Sequence, residues 1–402
     1  MIDNQKAVSP SWTWALAAIA LVVVMASALI SMASGPASAA EAGSCVPARP
    51  HAAGDFAETI ISGGVTREYV LHVPPSYVEG QPMPLILNWH GLGSNASDQQ
   101  LYSGLPAKAD TAGFIVTAPQ GLGDPANHNF ATLAPEPDDV LFTNDLLDEL
   151  ESQLCIDTAR VFSTGMSNGA QMSTRLGCNA SDRIAAIAPV AGWYYPPFSP
   201  NFPSEPDCIS TRPVAVIAFH GTADNIIPFE GGPGIFGILF RSFEDEIMPE
   251  WAVHNGCDST PVEEQVTQNV RLLRHENCDE DAPLELYVVE AGGHTWPGAI
   301  GATEEISATD LMWEFFLAHP MSAAQEPTPT PTPASTTSPS QPTATVLPAL
   351  PTTGTGGSYG GAGVLAGIIA AITTAAIALG GAAWWVRRRR FQRHSESTLM
   401  SP

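Results

Sequence analysis

The chain has 402 residues, with 16 Lys and Arg against 41 Asp and Glu, a formal charge of −25, and six cysteines. At 44% hydrophobic and 14% charged residues it has the composition of a globular protein able to bury a core. The negative charge excludes binding to a phosphate backbone, which needs clustered Lys and Arg to displace counterions, so nucleic acid is not an expected partner.

The first expected element is a signal peptide over residues 1–40. Residues 1–10 are polar around Lys6, Trp12 to Ile30 is almost wholly apolar, and Ala37-Ser38-Ala39 offers the small residues that a signal peptidase prefers. The apolar run is also long enough to span a bilayer, which leaves an uncleaved anchor as the alternative. Residues 41–321 then read as one acidic α/β domain carrying 38 Asp and Glu against 10 Lys and Arg, with Lys108 its lone lysine. Such an imbalance favours solubility through self-repulsion.

Within that domain, β-rich runs are expected at 67–73, 85–89, 114–117, 160–164, 184–189, 214–219 and 284–289. Helical spacing is clearest over 139–154, where Phe142, Leu146, Leu147, Leu150 and Leu154 recur between acidic residues, and a closing helix is expected over 310–319. Strands alternating with helices imply βαβ crossovers, hence a mainly parallel sheet covered on both faces. In such sheets function collects at the carboxyl ends of the strands.

Cys45, Cys155, Cys178, Cys208, Cys257 and Cys278 all lie in this domain. An even count in an exported domain favours disulfides over metal ligation, and no C-x-x-C pair occurs. A strand-turn-helix hairpin would return Cys178 to the edge where Cys155 starts, predicting that pair. Cys257 and Cys278 close a short acidic excursion, which leaves Cys45 with Cys208.

Three strand ends carry chemistry. Gly165-Met166-Ser167-Asn168-Gly169 follows a β run and precedes a helical pattern, the context of a nucleophile elbow; a side chain at Gly165 or Gly169 would collide with the neighbouring strand and helix. The run 214–219 empties into His220-Gly221-Thr222-Ala223-Asp224, and the run 284–289 leads to Gly292-Gly293-His294-Thr295-Trp296-Pro297. Ser167, Asp224 and His294 therefore stand in the order Ser, Asp, His, each after a strand. A serine hydroxyl needs a base to take its proton, and that base needs a carboxylate to hold its tautomer. Backbone N–H groups of Asn168 and Leu92 are the expected oxyanion donors. His90 and His220 are expected to fix loops rather than to react. Trp193, Tyr194 and Trp296, with Tyr195, Phe198 and Phe202, are expected to wall the substrate pocket, unless they simply pack on the domain. Alternative uses of the same chain are a peptidase on this machinery or a binding module without catalysis.

Beyond the domain, residues 322–349 form a Pro/Thr/Ser-rich stalk that cannot bury a core. Leu350-Pro351-Thr352-Thr353-Gly354, an apolar segment over about 362–386 and the basic run Arg387 to Arg390 follow. This order resembles the LPxTG cell-wall sorting signal, in which sortase cuts between Thr353 and Gly354. The resemblance implies sortase and peptidoglycan as partners; the alternative is a single membrane span with the domain facing outward.

From about residue 66 to 319 the chain also resembles the secreted polyhydroxybutyrate depolymerase-like, LpqC-like and feruloyl esterases. The matching motifs are the runs 84–91, 113–121, 138–140, 160–169, 185–192, 220–224, 251–257 and 293–298, the last reading Gly-His-Thr-Trp-Pro-Gly. The resemblance implies an α/β-hydrolase fold, the triad assigned above, an ester substrate that is small or polymeric, and neither a metal nor an organic cofactor. The segment 120–138 has Phe130 where the family carries Trp-rich sequence.

Overall fold

The computed structural model describes residues 45–131, 137–194, 208–234 and 237–321. The expected signal peptide, stalk, sorting residues Leu350, Pro351, Thr353 and Gly354, and the residues Tyr195, Phe198 and Phe202 lie outside them.

Twelve strands are found among the described residues: β1 (Gly54–Ser62), β2 (Val65–Val73), β3 (Met83–Trp89), β4 (Ile115–Pro119), β5 (Ile156–Met166), β6 (Ala186–Val190), β7 (Ala215–Gly221), β8 (Gly232–Pro233), β9 (Leu239–Phe240), β10 (Val262–Thr267), β11 (Val270–His275) and β12 (Leu284–Val289). β8 and β9 pair with each other, and the other ten form one sheet in the order β1-β2-β4-β3-β5-β6-β7-β12-β11-β10. The six central strands, β4 to β12, are parallel, whereas β1, β2, β10 and β11 pair antiparallel at the two flanks. The parallel centre agrees with the expected alternation of strand and helix.

Period-2 side-chain alternation divides the core. On β7, Val216 and Ala218 enter one apolar cluster while Ala215, Ile217 and Phe219 enter the other. Helices α1 (Ala96–Ser103), α2 (Leu105–Ala112), α3 (Asp139–Gln153), α4 (Asn168–Asn179), α5 (Met248–His254) and α6 (Ala308–Ala318) join these strands. The first cluster takes Phe142, Leu146, Leu147 and Leu150 of α3 with Met172 and Leu176 of α4; the second takes Leu105 of α2 and Met312, Trp313 and Phe316 of α6. Both faces of the sheet are thereby covered, as parallel strands require. Side-chain caps set where α3 and α6 begin: Asp138 accepts the Val140 and Leu141 N–H groups, and Ser307 accepts that of Asp310.

Two features depart from the sequence reading. The flanking strands β1, β10 and β11 were not expected. β10, Val-Glu-Glu-Gln-Val-Thr, is exposed along nearly its whole length, so it carries no hydrophobic alternation to read. The second departure is disulfide pairing: Cys45–Cys155, Cys178–Cys208 and Cys257–Cys278 are bonded. The expected Cys155–Cys178 and Cys45–Cys208 pairs do not form. Cys155 is claimed by the segment after Cys45, because Arg49 Nη1 donates to Leu154 O at 3.1 Å and Tyr77, whose hydroxyl donates to Arg49 O, accepts the Cys155 N–H. Cys178 instead lies by the segment after Cys208, where Thr211 N–H donates to Ser181 Oγ and Arg212 donates to the carbonyls of Ser181, Ile184 and Ala185. The short acidic loop pairs as expected.

Candidate active site

Ser167 sits between β5 and α4 with φ 58° and ψ −118°, a conformation that a residue with a side chain adopts only under constraint. The constraint is the crowding of three backbones. A Cβ on Gly165 would lie 2.6 Å from the carbonyl oxygens of both Gly169 and Trp89, and one on Gly169 would lie 2.1 Å from Trp89 O. The strand-turn-helix junction thus closes only with glycine at both places, as the sequence reading requires. Ser167 N–H donates to Val190 O at 2.9 Å, and its side chain caps nothing, so the hydroxyl is left projecting from the turn.

Asp224 and His294 stand 70 residues apart in sequence and meet at Oδ2 and Nδ1, 2.7 Å apart. The Asp224 side chain is fully buried, and its other oxygen accepts the N–H groups of Ile226 and Ile227 at 2.8 and 3.0 Å. Burial alone pushes the carboxyl upward, but hydrogen bonds from His220 and His294 outweigh it and hold the group well below the ordinary carboxylate range. A carboxylate held ionised at neutral pH places the proton of a neutral His294 on Nδ1 and leaves Nε2 with a lone pair. The Ser167 hydroxyl makes no hydrogen bond with the described residues, His294 included; contacts of this kind often tighten only with substrate bound.

The loop after β3 is clamped by His90, which is buried. Its Nδ1 donates to Gly91 O at 2.8 Å and its Nε2 accepts the Gly121 N–H at 2.9 Å, so the ring is neutral and ties the β3 loop to the β4 loop. Burial lowers its pKa, in keeping with that role. Gly93 N–H and Ser94 N–H are taken by Ala126 O and Gly91 O. The Leu92 N–H is not used in this way, and the Asn168 N–H is the first of α4, which has no partner within the helix. The Gly91 backbone reaches the Ser167 side chain, since a Cβ added there would be 3.4 Å from Ser167 Cβ.

Trp193, Tyr194 and Trp296 do not wall an open pocket: their exposures are 2%, 0% and 1%. Each follows a strand end as expected, but a helix takes up its side chain. Trp193 packs edge-on against Trp251 of α5, and the Tyr194 hydroxyl accepts from Arg175 of α4. Trp296 donates Nε1–H to Thr309 Oγ1 of α6 at 3.0 Å, while its N–H donates to the Tyr102 hydroxyl of α1. Trp296 therefore anchors the loop that carries His294.

Three supporting groups escaped the sequence reading. The Asn168 carboxamide makes a two-point clasp on the backbone of His128, accepting its N–H at 2.7 Å and donating to its carbonyl at 3.0 Å. The Asp139 carboxylate, paired with Arg67 at 2.5 Å, accepts the N–H of the next residue, Asn129. His220, expected only to fix a loop through its bond to Ile227 O, also reaches Asp224 Oδ2 at 3.3 Å. Each contact links chain segments through side chains with no local pattern; the one available signal was an Asp-Asp pair at the start of α3. No group of three or more His, Cys, Asp or Glu among the described residues is placed to hold a metal ion.

Residues 138–243 match the family model described as Phospholipase/Carboxylesterase. The protein named "Putative esterase NocK" of Nocardia uniformis subsp. tsuyamanensis is 30% identical over 292 residues, covering 65% of this chain and 82% of its own. Feruloyl esterase B of Piromyces equi is 29% identical over 57% of this chain and 42% of its own length. Among solved structures, an acetyl xylan esterase from Aspergillus awamori superimposes over 65% of this chain and 99% of its own, with a TM-score of 0.48 and 15% identity.

Proposed function

The chain belongs to the phospholipase/carboxylesterase family of α/β-hydrolases and is a carboxylic ester hydrolase; from that premise we propose that it is a serine esterase working through Ser167, His294 and Asp224. The observation that carries this reading is the 2.7 Å contact between Asp224 Oδ2 and His294 Nδ1. It joins side chains from the loops that follow the adjacent strands β7 and β12 and leaves Nε2 of His294 with a lone pair for the elbow serine.

The chemistry follows from that arrangement. His294 Nε2 takes the Ser167 proton as Oγ adds to the ester carbonyl, and the oxyanion is met by the N–H groups of Leu92 and Asn168. His294 then returns the proton to the departing alcohol, leaving an acyl-serine. Water, activated by the same nitrogen, releases the acid and restores the serine. Asp224 holds the imidazole and stabilises its charged form without taking the proton.

The substrate class we assign is an ester of an aromatic acid on extracellular plant material, because curated relatives carry the feruloyl esterase name. Three disulfides fit an oxidising compartment. In the same proposal the signal at 1–40 exports the chain, the stalk at 322–349 extends it, and the segment 350–402 attaches it to the wall through sortase or holds it in the membrane.

Ser167→Ala should abolish hydrolysis of p-nitrophenyl acetate and labelling by an organophosphate; retention of both removes the triad. Release assays on methyl ferulate, acetylated xylan and polyhydroxybutyrate film test the substrate class. Turnover of the film or the xylan with methyl ferulate untouched would overturn it.

A further inference from the structure

His220 is the penultimate residue of β7, four residues before Asp224, with its side chain almost fully buried. Its Nε2 lies 2.9 Å from Ile227 O and 3.3 Å from Asp224 Oδ2. A carbonyl can only accept, so Nε2 carries the proton and the same N–H is shared with the carboxylate. The other ring nitrogen, Nδ1, is buried with no partner, which makes the neutral ring with its proton on Nε2 the form that fits. The ring is held against Phe243 at 3.9 Å between centroids. Phe243 opens a π-helical turn over Phe243–Ile247, a backbone irregularity that often marks functional ground.

Oδ2 of Asp224 therefore faces two imidazole N–H groups, that of His294 in a hydrogen bond at 2.7 Å and that of His220, bonded first to Ile227 O, at a longer 3.3 Å. We propose that His220 is a positioning residue of this active site, a second donor to Asp224 Oδ2 that limits how strongly the carboxylate draws on the proton shared with His294. This inference rests on the triad reading above.

The surrounding charges do not substitute for it. Glu290, at the start of the loop after β12, is held by Thr222 and by Arg271 of β11, and Glu244 of the π-helical turn is held by the same arginine. Among the described residues, Asp224 is the carboxylate in contact with either imidazole.

Without the second donor, Asp224 concentrates its charge on His294 and stabilises the imidazolium. A base that stays protonated to higher pH is withdrawn from catalysis over more of the acid range. In His220→Phe, which keeps a ring against Phe243 but has no N–H, the acid limb of kcat/KM on p-nitrophenyl acetate should move up by roughly half a pH unit or more. His220→Gln, which restores an N–H donor, should bring the limb back toward wild type. A structural role alone lowers kcat and melting temperature without moving the limb, so an unshifted limb in His220→Phe overturns the proposal.

Should His220→Phe not fold, a pH titration of the 15N-labelled wild-type protein decides. The His220 Nε2–H resonance should shift in step with the titration of His294, and a resonance that ignores that titration overturns the proposal. His294→Ala separates the two levels. Full activity in that variant removes the triad reading itself, whereas an inactive His294→Ala beside an unshifted His220→Phe removes only the role of His220.

Discussion

The two halves of the candidate site are built from different forces. Around Ser167 the backbone does the work: Gly165, Gly169 and Gly192 are packed so closely that any Cβ would fall within 2.6 Å of a carbonyl oxygen. Around Asp224 two such contacts exist, Gly221 against Gly292 O at 2.2 Å and Gly234 against Ile226 O at 2.5 Å, but the functional atoms are held by hydrogen bonds to Ile226, Ile227 and His294, with His220 Nε2 3.3 Å from Oδ2. Steric closure is indifferent to pH and intolerant of substitution. Hydrogen-bonded closure can be weakened one donor at a time, so under the proposed mechanism the Asp224–His294 half is where the rate can be adjusted while Ser167 stays where it is.

Asp224→Asn breaks the second half most sharply. An amide at this position presents its own N–H to His294 and forces the wrong imidazole tautomer, so kcat should fall by about 10⁴-fold. Stability should change far less, which comparison of kcat with the melting temperature will show. On the nucleophile side the largest effect should come from Arg67→Leu. Arg67 and Asp139 are both buried at 1% and 4% side-chain exposure, and removing the arginine leaves a buried carboxylate without its counter-charge. Destabilisation of roughly 3–5 kcal/mol is expected in urea or thermal unfolding. Co-removal in Arg67→Leu with Asp139→Leu should recover part of it; a double variant no better than the single one breaks the ion-pair interpretation.

These remote supports explain how far the sequence could be read. The parallel core was legible because seven apolar runs and the α3 periodicity are local patterns, and so was the placement of Ser167, Asp224 and His294 in the turns that follow β5, β7 and β12. β10 was not, because its residues are exposed and neither face is apolar. The cysteine connectivity depended on where the 45–49 and 208–212 segments dock, which hydrogen bonds to Leu154, Ser181 and Ile184 decide. Trp193 and Trp296 illustrate the same limit: the sequence placed them next to the site, but only packing against Trp251 and Thr309 shows that they support it from within.

The Asn168 clasp sharpens the comparison at a smaller scale, because it brings a hydrogen-bonded device into the sterically built half. Asn168→Ala keeps the backbone N–H proposed for the oxyanion but strands the N–H and C=O of His128, both of which the carboxamide now satisfies. The cost should be about 1–3 kcal/mol, divided between stability and kcat. If the 120–131 loop positions the oxyanion donors, kcat on p-nitrophenyl acetate should fall while KM changes little. A variant that loses only stability would confine the clasp to folding.

The smallest expected effect concerns acid. His128 is fully buried, neither ring nitrogen has a partner among the described residues, and its ring packs on His90 at 4.4 Å and Trp89 at 5.0 Å. Burial, and then the neighbouring His90 and the Arg67 charge, hold its pKa well below the usual value, and burial also lowers that of His90. The unfolded chain therefore takes up these protons more readily than the fold does. The stabilising contribution is complete above about pH 6.5 and is lost as the pH falls below that value toward the folded-state pKa, each tenfold difference in proton affinity between the two states being worth about 1.4 kcal/mol. The depressed Asp224 carboxyl acts in the same direction, but in a lower window that opens only below about pH 4. His128→Phe keeps the aromatic contacts and removes the titrating nitrogens, so the fall in melting temperature between pH 7 and 5 should become shallower than in the wild-type protein. An equal slope in both would mean that the acid sensitivity arises elsewhere, and that the nucleophile half is as indifferent to pH as its glycine packing implies.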